Sequence, residues 1–461
     1  MVTIWNPDLS VFQGPRYLAI ADALAAAIEQ GELEVNQRLP THRALADQLG
    51  VTVGTITRAY AEAERRGLVE ARVGSGTYVR LQGQLVSRPW KIEHRDDWAN
   101  LGVTVCVPDD REASFRSALD RVLQQNLNPL LEHNQEAGIP AHREQYGQWL
   151  AMIGLQPPVE QLVMTAGGQQ GILLSLLSTL NPGDTLACEA LAYPGLLLTA
   201  RKLNLKVLPV AMDEDGPLPE SLELICRERR PKAFYCTPTL QNPTSRIFSL
   251  KRREALLEVC QRHGLWVIED DINGWTPRER PVPMAALAPE QVLHISGISK
   301  ALSGGIRVAG LVAPLSLIDA VHEAIRSVCW VTSPFLTAIV GEWIVSGEAA
   351  RLLERQRDAL THRCDLARSI LGTELFECAP ISNHGWINLP EPWLSHHFVQ
   401  AADAAKVQLF GSEHFSAGRQ IVHQGVRLSL SHPATLAELE LGLTRVREIL
   451  KRGPEPAPGV R

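Results

Sequence analysis

Long apolar runs are missing from this chain. No stretch of its 461 residues stays apolar for about 18 positions, the length a membrane-spanning helix needs. The first ten residues lack the basic flank and apolar segment of a secretory leader, so a cytoplasmic protein is expected. Paired cysteines are missing too. Cys106, Cys188, Cys226, Cys236, Cys260, Cys329, Cys364 and Cys378 are scattered, with no C-x-x-C pair. That argues against a cysteine zinc site or a disulfide framework and for reduced thiols. His263, His294, His322, His384 and His423 show no metal-ligand spacing, so no metal is expected. No internal repeat is visible. Charge of one sign is scarce: 45 basic and 51 acidic residues leave −6. A basic nucleic-acid coat is excluded, but one small DNA-reading module is not. What is present, 45% apolar and 21% charged residues, is ordinary for a globular chain of roughly three domains at about 150 residues each.

Composition shifts near residue 80. Ahead of it, Leu18, Ala21, Leu24, Ala25 and Ile28 recur at helical spacing and predict a helix over Arg16–Gln30, stopped by Gly31. Thr41 has the chemistry of an N-cap for a short helix, His42–Leu49, and Gly50 turns the chain. A helix over 52–66 follows, with Ile56, Tyr60 and Ala63 facing inward. Its other face carries Thr52, Thr55 and Arg58, which can reach base edges and phosphates. The alternation around Gly74-Ser75-Gly76 predicts a hairpin wing. The stretch RLPTHRALADQLGVTVGTITRAYAEAERRGLVEARVGSGTYV resembles the GntR family of winged helix-turn-helix regulators, within a likeness over most of residues 14–80. The resemblance implies that Arg43, Thr52, Thr55 and Arg58 face DNA and that Gly74 and Gly76 bring the wing to the minor groove. Val53-Gly54 departs from the family's basic-then-polar pair, which removes a contact. Residues 1–80 hold eight basic and nine acidic side chains. Only the local cluster Arg38, Arg43, Arg58, Arg65 and Arg66 is left to meet phosphates, which makes dimerisation part of DNA binding.

Residues 81–100 are polar and aperiodic and read as a linker, with Trp90 and Trp98 able to pack on a neighbouring domain. From 101 to 461, strand-sized apolar runs at 162–164, 185–188, 206–209, 233–236, 266–268, 292–295 and 310–313 alternate with helical patterns. That is an α/β domain with a largely parallel sheet. A large lobe over about 130–345 and a smaller α+β lobe over about 346–461 are expected.

One loop carries the main chemical clue. His294-Ile295-Ser296-Gly297-Ile298-Ser299-Lys300 ends a strand in small residues, and Arg307 follows. A lysine in a dry site has a lowered pKa and can form a Schiff base. The hydroxyls and Arg307 suit a phosphate. Upstream, Asp270 ends a strand, where a carboxylate can keep a pyridine nitrogen protonated. Asn242 can donate to a ring hydroxyl, and Tyr193 can stack on a ring. Gly168 and Gln169 open a helix whose N–H groups suit a phosphate. Arg427 can pair with a carboxylate.

This ordered set resembles the fold-type I pyridoxal-phosphate aminotransferases over about residues 101–450. The resemblance implies that Lys300 is the catalytic Schiff-base lysine and Asp270 the partner of the ring nitrogen. It gives Asn242 the ring hydroxyl, Tyr193 the stacking, and Gly168, Gln169 and Arg307 the phosphate. Arg427 takes the substrate or effector carboxylate. Ala137-Gly138-Ile139-Pro140 and Arg143 look like the loop at the mouth of the site. Three places depart. Ile272 and Asn273 stand where the family usually has Tyr, Gly297 where it has Ser or Thr, and His133 where the mouth loop often has Tyr. The first two remove hydrogen bonds of roughly 1 kcal/mol each, so cofactor binding is expected to survive while catalysis is impaired.

A GntR-type module joined to an aminotransferase-like domain resembles the MocR subfamily of bacterial transcriptional regulators, over almost the whole chain. That implies promoter DNA as a partner and a homodimer with each module reaching across to the other subunit. It also implies bound pyridoxal 5′-phosphate, used to sense the cofactor or a small amine or amino acid that forms an aldimine in place of Lys300. The alternatives are a working aminotransferase with an accessory DNA module, and a domain that has lost the cofactor and binds its ligand directly.

Overall fold

The computed structural model describes residues 14–34, 36–72, 76–79, 97–132, 135–418 and 423–454, with Trp5, Phe12 and residues 7–9. Three helices, α1 (Arg16–Gln30), α2 (His42–Leu49) and α3 (Val53–Arg65), precede an antiparallel hairpin of β1 (Val69–Arg72) and β2 (Gly76–Val79). Thr41 is the cap the sequence announces, while Thr52, expected inside its helix, caps α3 from just outside it. Thr41 Oγ1 accepts from the Ala44 N–H and Thr52 Oγ1 from the Thr55 N–H, at 3.3 and 3.2 Å. Gly31 and Gly50 end their helices in the left-handed region, where a side chain would be strained. Ile56, Tyr60 and Ala63 are buried against Ile20, Leu24 and Leu45. Gly74 lies outside the described residues, as do Trp90, His133 and the linker up to residue 96.

The second domain is built on a seven-stranded sheet. Its strands are β3 (Leu162–Thr165), β4 (Thr185–Glu189), β5 (Lys206–Val210), β6 (Ala233–Cys236), β7 (Trp266–Asp270), β8 (Val292–Gly297) and β9 (Ala309–Val312). Their spatial order is β3-β9-β8-β7-β6-β4-β5, and only β9 runs against its neighbours. Most of these strands are buried along their whole length, which is why they read as continuous apolar runs rather than alternating ones. Helices α4 (Gly168–Thr179), α5 (Pro194–Lys202) and α6 (Leu250–His263) are among those covering the two faces. Buried side chains on the two faces form separate clusters, with Phe234 and Val267 in one and Tyr235 and Ile268 in the other.

A long helix, α7 (Glu348–Leu371), leads to a four-stranded antiparallel sheet: β10 (Phe376–Glu377), β11 (His384–Asn388), β12 (Phe410–Gly411) and β13 (Gly425–Ser429), in the order β10-β11-β13-β12. Helices α8 (Ser395–Ala404) and α9 (Leu436–Arg452) complete this lobe. Ala99–Asn100 pairs in parallel with Val407–Gln408. The chain is therefore part of the small lobe before residue 101, and the linker ends earlier than its polar composition indicates. No helix among the described residues is long and apolar enough to cross a membrane.

Candidate functional site

The site forms where the parallel strands end, the edge at which open α/β sheets hold their ligands. Asp270 is the last residue of β7 and is almost fully buried. Its Oδ2 accepts the Tyr235 hydroxyl at 2.6 Å and its Oδ1 the Ile272 N–H at 3.2 Å. Burial, with the Asp271 carboxylate adding to it, pushes the Asp270 carboxyl up to about 6. A cation placed against it would relieve that penalty.

Lys300 follows β8, and its ammonium donates to the Thr104 carbonyl, a contact the small lobe's first segment brings in. Burial and the Arg427 guanidinium lower its pKa to about 8, with Arg307 adding to the effect. The amine is thus free roughly 300 times more often at neutral pH than an ordinary lysine. Tyr193 caps α5 and feels the charges of Asp270, Arg427 and Arg307, which puts its ring among them; burial raises its pKa to about 12. Arg427 is wholly buried on β13. It donates to Asn242 Oδ1 at 2.8 Å and to the Gly102 carbonyl, and its guanidinium lies 4.9 Å from the Phe415 ring centre. Its Nε has no hydrogen-bond partner, and burial lowers its pKa to about 10. Asn242 thereby turns its amide oxygen toward Arg427, leaving its N–H₂ to donate.

Gly167, not named by the sequence reading, caps α4 at φ +90°. A Cβ there would meet Arg307 Nη2 at 2.6 Å. The glycine therefore admits the guanidinium beside the helix N-terminus, with Ser299 Oγ 3.5 Å from Arg307 Nη1. Gly168 and Gln169 begin this helix, so their N–H groups are among those without an intrahelical acceptor. The side chain of Gln169 points elsewhere, donating to Gly195 O and Thr199 Oγ1 at 3.1 and 2.8 Å. Only its backbone can serve an anion. These residues fit pyridoxal phosphate: a buried anion for the ring nitrogen, a depressed amine, and a cradle that a Cβ would fill.

The departures at 272 and 297 prove to be one packing event. A Cβ on Gly297 would meet Ile272 Cδ1 at 2.6 Å, and one on Gly168 would meet it at 2.4 Å. Ile272 is wedged between the two glycines. Asn273 is buried, with its amide directed to the Leu240 carbonyl at 3.3 Å.

Several polar groups here escaped the sequence reading. Tyr235 and Glu189 are strand residues with no motif around them. Glu189 is fully buried, accepts the Thr237 N–H at 2.9 Å, and has its pKa pushed up to about 8 by burial. His384 is buried with Nε2 3.0 Å from the Gln241 carbonyl; burial and the Arg427 charge lower its pKa to about 3. His294 pairs with Glu269 at 2.8 Å on the far side of β7 from Asp270. Arg143, expected on the mouth loop, lies instead in the helix Pro140–Ala151 and is spent on the Val159 carbonyl at 2.7 Å.

In the N-terminal domain, Arg43, Thr52 and Arg58 are exposed and Thr55 half-buried. The Thr52 and Thr55 hydroxyls lie 2.9 Å apart, and Arg58 stacks 4.1 Å over Tyr17. A Cβ on Gly76, at φ +120°, would meet Arg38 Nε at 2.8 Å, so the wing glycine also seats Arg38. Arg65 and Arg66 do not belong to the phosphate-facing cluster. They pair with Glu62 and Asp22 at 2.7 and 2.5 Å at the opposite end of α3. There the module touches the small lobe of its own chain: Gln424 Nε2 donates to Arg65 O at 2.7 Å, and Gln424 Oε1 accepts from Ser395 N at 2.8 Å.

Residues 16–79 match the family described as bacterial regulatory proteins, gntR family, and residues 97–394 match aminotransferase class I and II. The chain is 30% identical to the HTH-type transcriptional regulator YdeF of Bacillus subtilis, over 97% of this chain and 96% of that one. It is 25% identical to the probable rhizopine catabolism regulatory protein MocR of Rhizobium meliloti, over 76% of each. A kynurenine aminotransferase structure from Pyrococcus horikoshii shares the fold, with a TM-score of 0.72 at 23% identity, covering 80% of this chain and 93% of that one.

Proposed function

Because the chain belongs to the MocR-like transcriptional regulators, in which a DNA-binding gntR-type domain is joined to a domain of aminotransferase class I and II, we propose that its second domain binds pyridoxal 5′-phosphate at Lys300 and senses there the cofactor or a small amino acid or amine. The observation that carries this reading is the convergence of Asp270, Arg307 and Arg427 around Lys300 and Tyr193, each of which feels the charges of all three. When bound, pyridoxal phosphate supplies an aldehyde that joins to amines and a ring that draws electrons from them.

The protein's own groups divide the work. Lys300 Nζ would hold the cofactor. Asp270 would keep a proton on the ring nitrogen, and the Tyr235 hydroxyl holds that carboxylate in place. The Asn242 N–H₂ would serve the ring hydroxyl and the Tyr193 ring the cofactor's face. Arg307 and the backbone N–H groups of Gly168 and Gln169 would take the phosphate. Arg427 takes an effector carboxylate, giving up its present bonds to Asn242 and Gly102 to do so. On DNA, Arg43, Thr52, Thr55 and Arg58 meet the major groove, and the wing at Gly74 and Gly76 the minor groove. Two copies reading two half-sites from the cytoplasm compensate for a near-neutral module.

A second reading, a working aminotransferase, is favoured by the depressed Lys300 amine and opposed by Ile272, which fills space where a donor would stand. Purified protein should show the visible absorbance of lysine-bound pyridoxal, absent in Lys300→Ala. It should also retard promoter DNA in a gel. Absence of DNA binding even at low salt sinks the regulator reading. Turnover of an amino acid with a keto acid at ordinary enzyme rates favours the second.

A further inference from the structure

Two cysteines in the small lobe stand with their sulfurs in contact. Cys364 lies on α7 and Cys378 just past β10, and their Sγ atoms are 3.6 Å apart. A disulfide needs about 2.05 Å, so the sulfurs have only about 1.5 Å to close. Cys364 is fully buried and Cys378 half-buried, which gives the pair an approach from solvent. Both thiols brace the turn into β11. Cys364 Sγ donates to the Ser382 carbonyl and accepts the Ser382 N–H, each at 3.4 Å, and Cys378 Sγ lies 3.2 Å from the Ala379 carbonyl. The hydrogen bond from the Cys378 thiol, with the Arg368 charge adding to it, holds the Cys364 thiol below its ordinary value. Burial instead pushes the Cys188, Cys226, Cys236 and Cys260 thiols up, which starves them of thiolate and leaves them inert.

We propose that Cys364 and Cys378 form a reversible disulfide when a hydroperoxide reaches them, and that the bridge reports the oxidation to the pocket at Lys300. One sulfur, as thiolate, attacks a peroxide oxygen. The O–O bond breaks, the leaving hydroxide takes the thiol's proton, and a sulfenic acid remains. The second sulfur attacks the sulfenic sulfur, the S–O bond breaks, and a second water leaves with the other thiol's proton. Two thiols lose two electrons, and hydrogen peroxide ends as two waters. A transient bridge of this kind is compatible with thiols that rest reduced. Two paths lead from the pair to the pocket. Ser382 Oγ donates to the His384 carbonyl at 2.6 Å, and His384 Nε2 meets the Gln241 carbonyl at 3.0 Å, one residue before Asn242. Asn383 Oδ1 accepts from Gln356 Nε2 at 3.4 Å, and that amide also donates to the Lys300 carbonyl at 3.2 Å. A bridge removes the donor that Cys364 gives to Ser382 and draws the sulfur away, so the turn carrying Asn383 and His384 must shift. The link to the pocket rests on the reading that pyridoxal phosphate binds at Lys300; the bridge itself does not.

The test uses the full-length chain carrying Cys329→Ser, which removes an exposed thiol. Hydrogen peroxide should lower the free-thiol count by two and the intact mass by about 2 Da, the two hydrogens lost. Proteolysis should give one linked peptide holding Cys364 and Cys378, and dithiothreitol should reverse all three changes. Cys378→Ser and Cys364→Ala should each abolish the mass loss; Cys378 is half-buried, so its serine variant tests the bridge without opening the core. Oxidation should weaken pyridoxal phosphate binding, read by visible absorbance, by roughly fivefold or more. Dithiothreitol should restore the affinity, and peroxide should leave it unchanged in Cys378→Ser. Oxygen added to the mass without loss of the two hydrogens, or a linked peptide joining other cysteines, overturns the bridge. A bridge that forms with unchanged cofactor affinity overturns the link to the pocket. Reduced protein that takes up no pyridoxal phosphate fails the cofactor reading and that link together, while the bridge stands on the mass and the linked peptide.

Discussion

Gly297→Ala is the smallest change that probes how this pocket is packed. The added Cβ falls 2.6 Å from Ile272 Cδ1 and 3.2 Å from Ala309 Cβ. Carbon atoms settle at about 3.5–4.0 Å, so the isoleucine must retreat by roughly 1 Å, toward Gly168. Overpacking of this kind costs about 1–3 kcal/mol. Ile272→Ala removes the obstructing methyls and opens a gap of its own, at a cost of about 1–3 kcal/mol for a half-buried site. The two changes together should cost less than their sum, by about 1–2 kcal/mol, because the new Cβ enters the space the isoleucine leaves. Urea unfolding of the effector domain, followed for the two single variants and the double, measures the coupling. Costs that add to within about 0.5 kcal/mol would refute the claim that residues 272 and 297 form one packing unit.

The remaining expectations concern charge and backbone. Asp270 has a folded pKa raised from 3.8 to about 6. The folded chain thus holds that proton more tightly than the unfolded one, and stability falls as pH climbs from about 4 to 6. Asp270→Asn should therefore stabilise the cofactor-stripped protein at pH 7.5 by about 1–3 kcal/mol while weakening pyridoxal phosphate binding; a loss of stability in the stripped variant would contradict this. Gly167→Ala places a Cβ 2.6 Å from Arg307 Nη2 at φ +90°, so cofactor affinity should drop roughly ten- to hundredfold, the worth of a charged hydrogen bond of about 1.5–3 kcal/mol. An absorbance titration that shows an unchanged affinity would remove Arg307 from the phosphate site.

Much of the fold was legible because local and tertiary signals agree. The ends of α1 and α2 follow from glycines that the structure places in the left-handed region just past each helix: Gly31 and Gly50. The seven strands of the large sheet, most of them buried, announced themselves as apolar runs. Lys300, Asp270 and Asn242 were legible as candidates because each sits in a loop or strand end whose composition is unusual, whereas Arg427 sits in the middle of β13. Tyr235 was not. It is an ordinary strand residue, and only the pairing of β6 with β7, which sets Tyr235 beside Ile268, brings its hydroxyl to Asp270. Ile272 and Gly297 read as two separate losses, since nothing in the sequence says that a side chain at one excludes a side chain at the other. Arg65 and Arg66 show a related limit: their charge was visible in the sequence, but their partners Glu62 and Asp22 were not.

Gln424 gives the regulator reading a physical route. It precedes β13, and Arg427 lies three residues on, about 10 Å away at roughly 3.3 Å per residue. A carboxylate that takes Arg427 from Asn242 and Gly102 pulls on the strand whose first residue adjoins the module's anchor. Gln424 holds that anchor through two hydrogen bonds, to Arg65 O and from Ser395 N, neither of them exposed to bulk water on both sides. Each is worth about 0.5–1.5 kcal/mol, so Gln424→Ala should shift the docking of the module by about 1–3 kcal/mol, or roughly 5- to 150-fold. The variant should bind pyridoxal phosphate as the parent does, since Gln424 touches no group in that pocket. Its affinity for promoter DNA should no longer respond to an amino acid that alters DNA binding in the parent. Fluorescence anisotropy of labelled promoter DNA, with and without that amino acid, reads both. If the response persists at full size in Gln424→Ala, the signal does not travel along β13, and the contact with Arg65 is a packing detail.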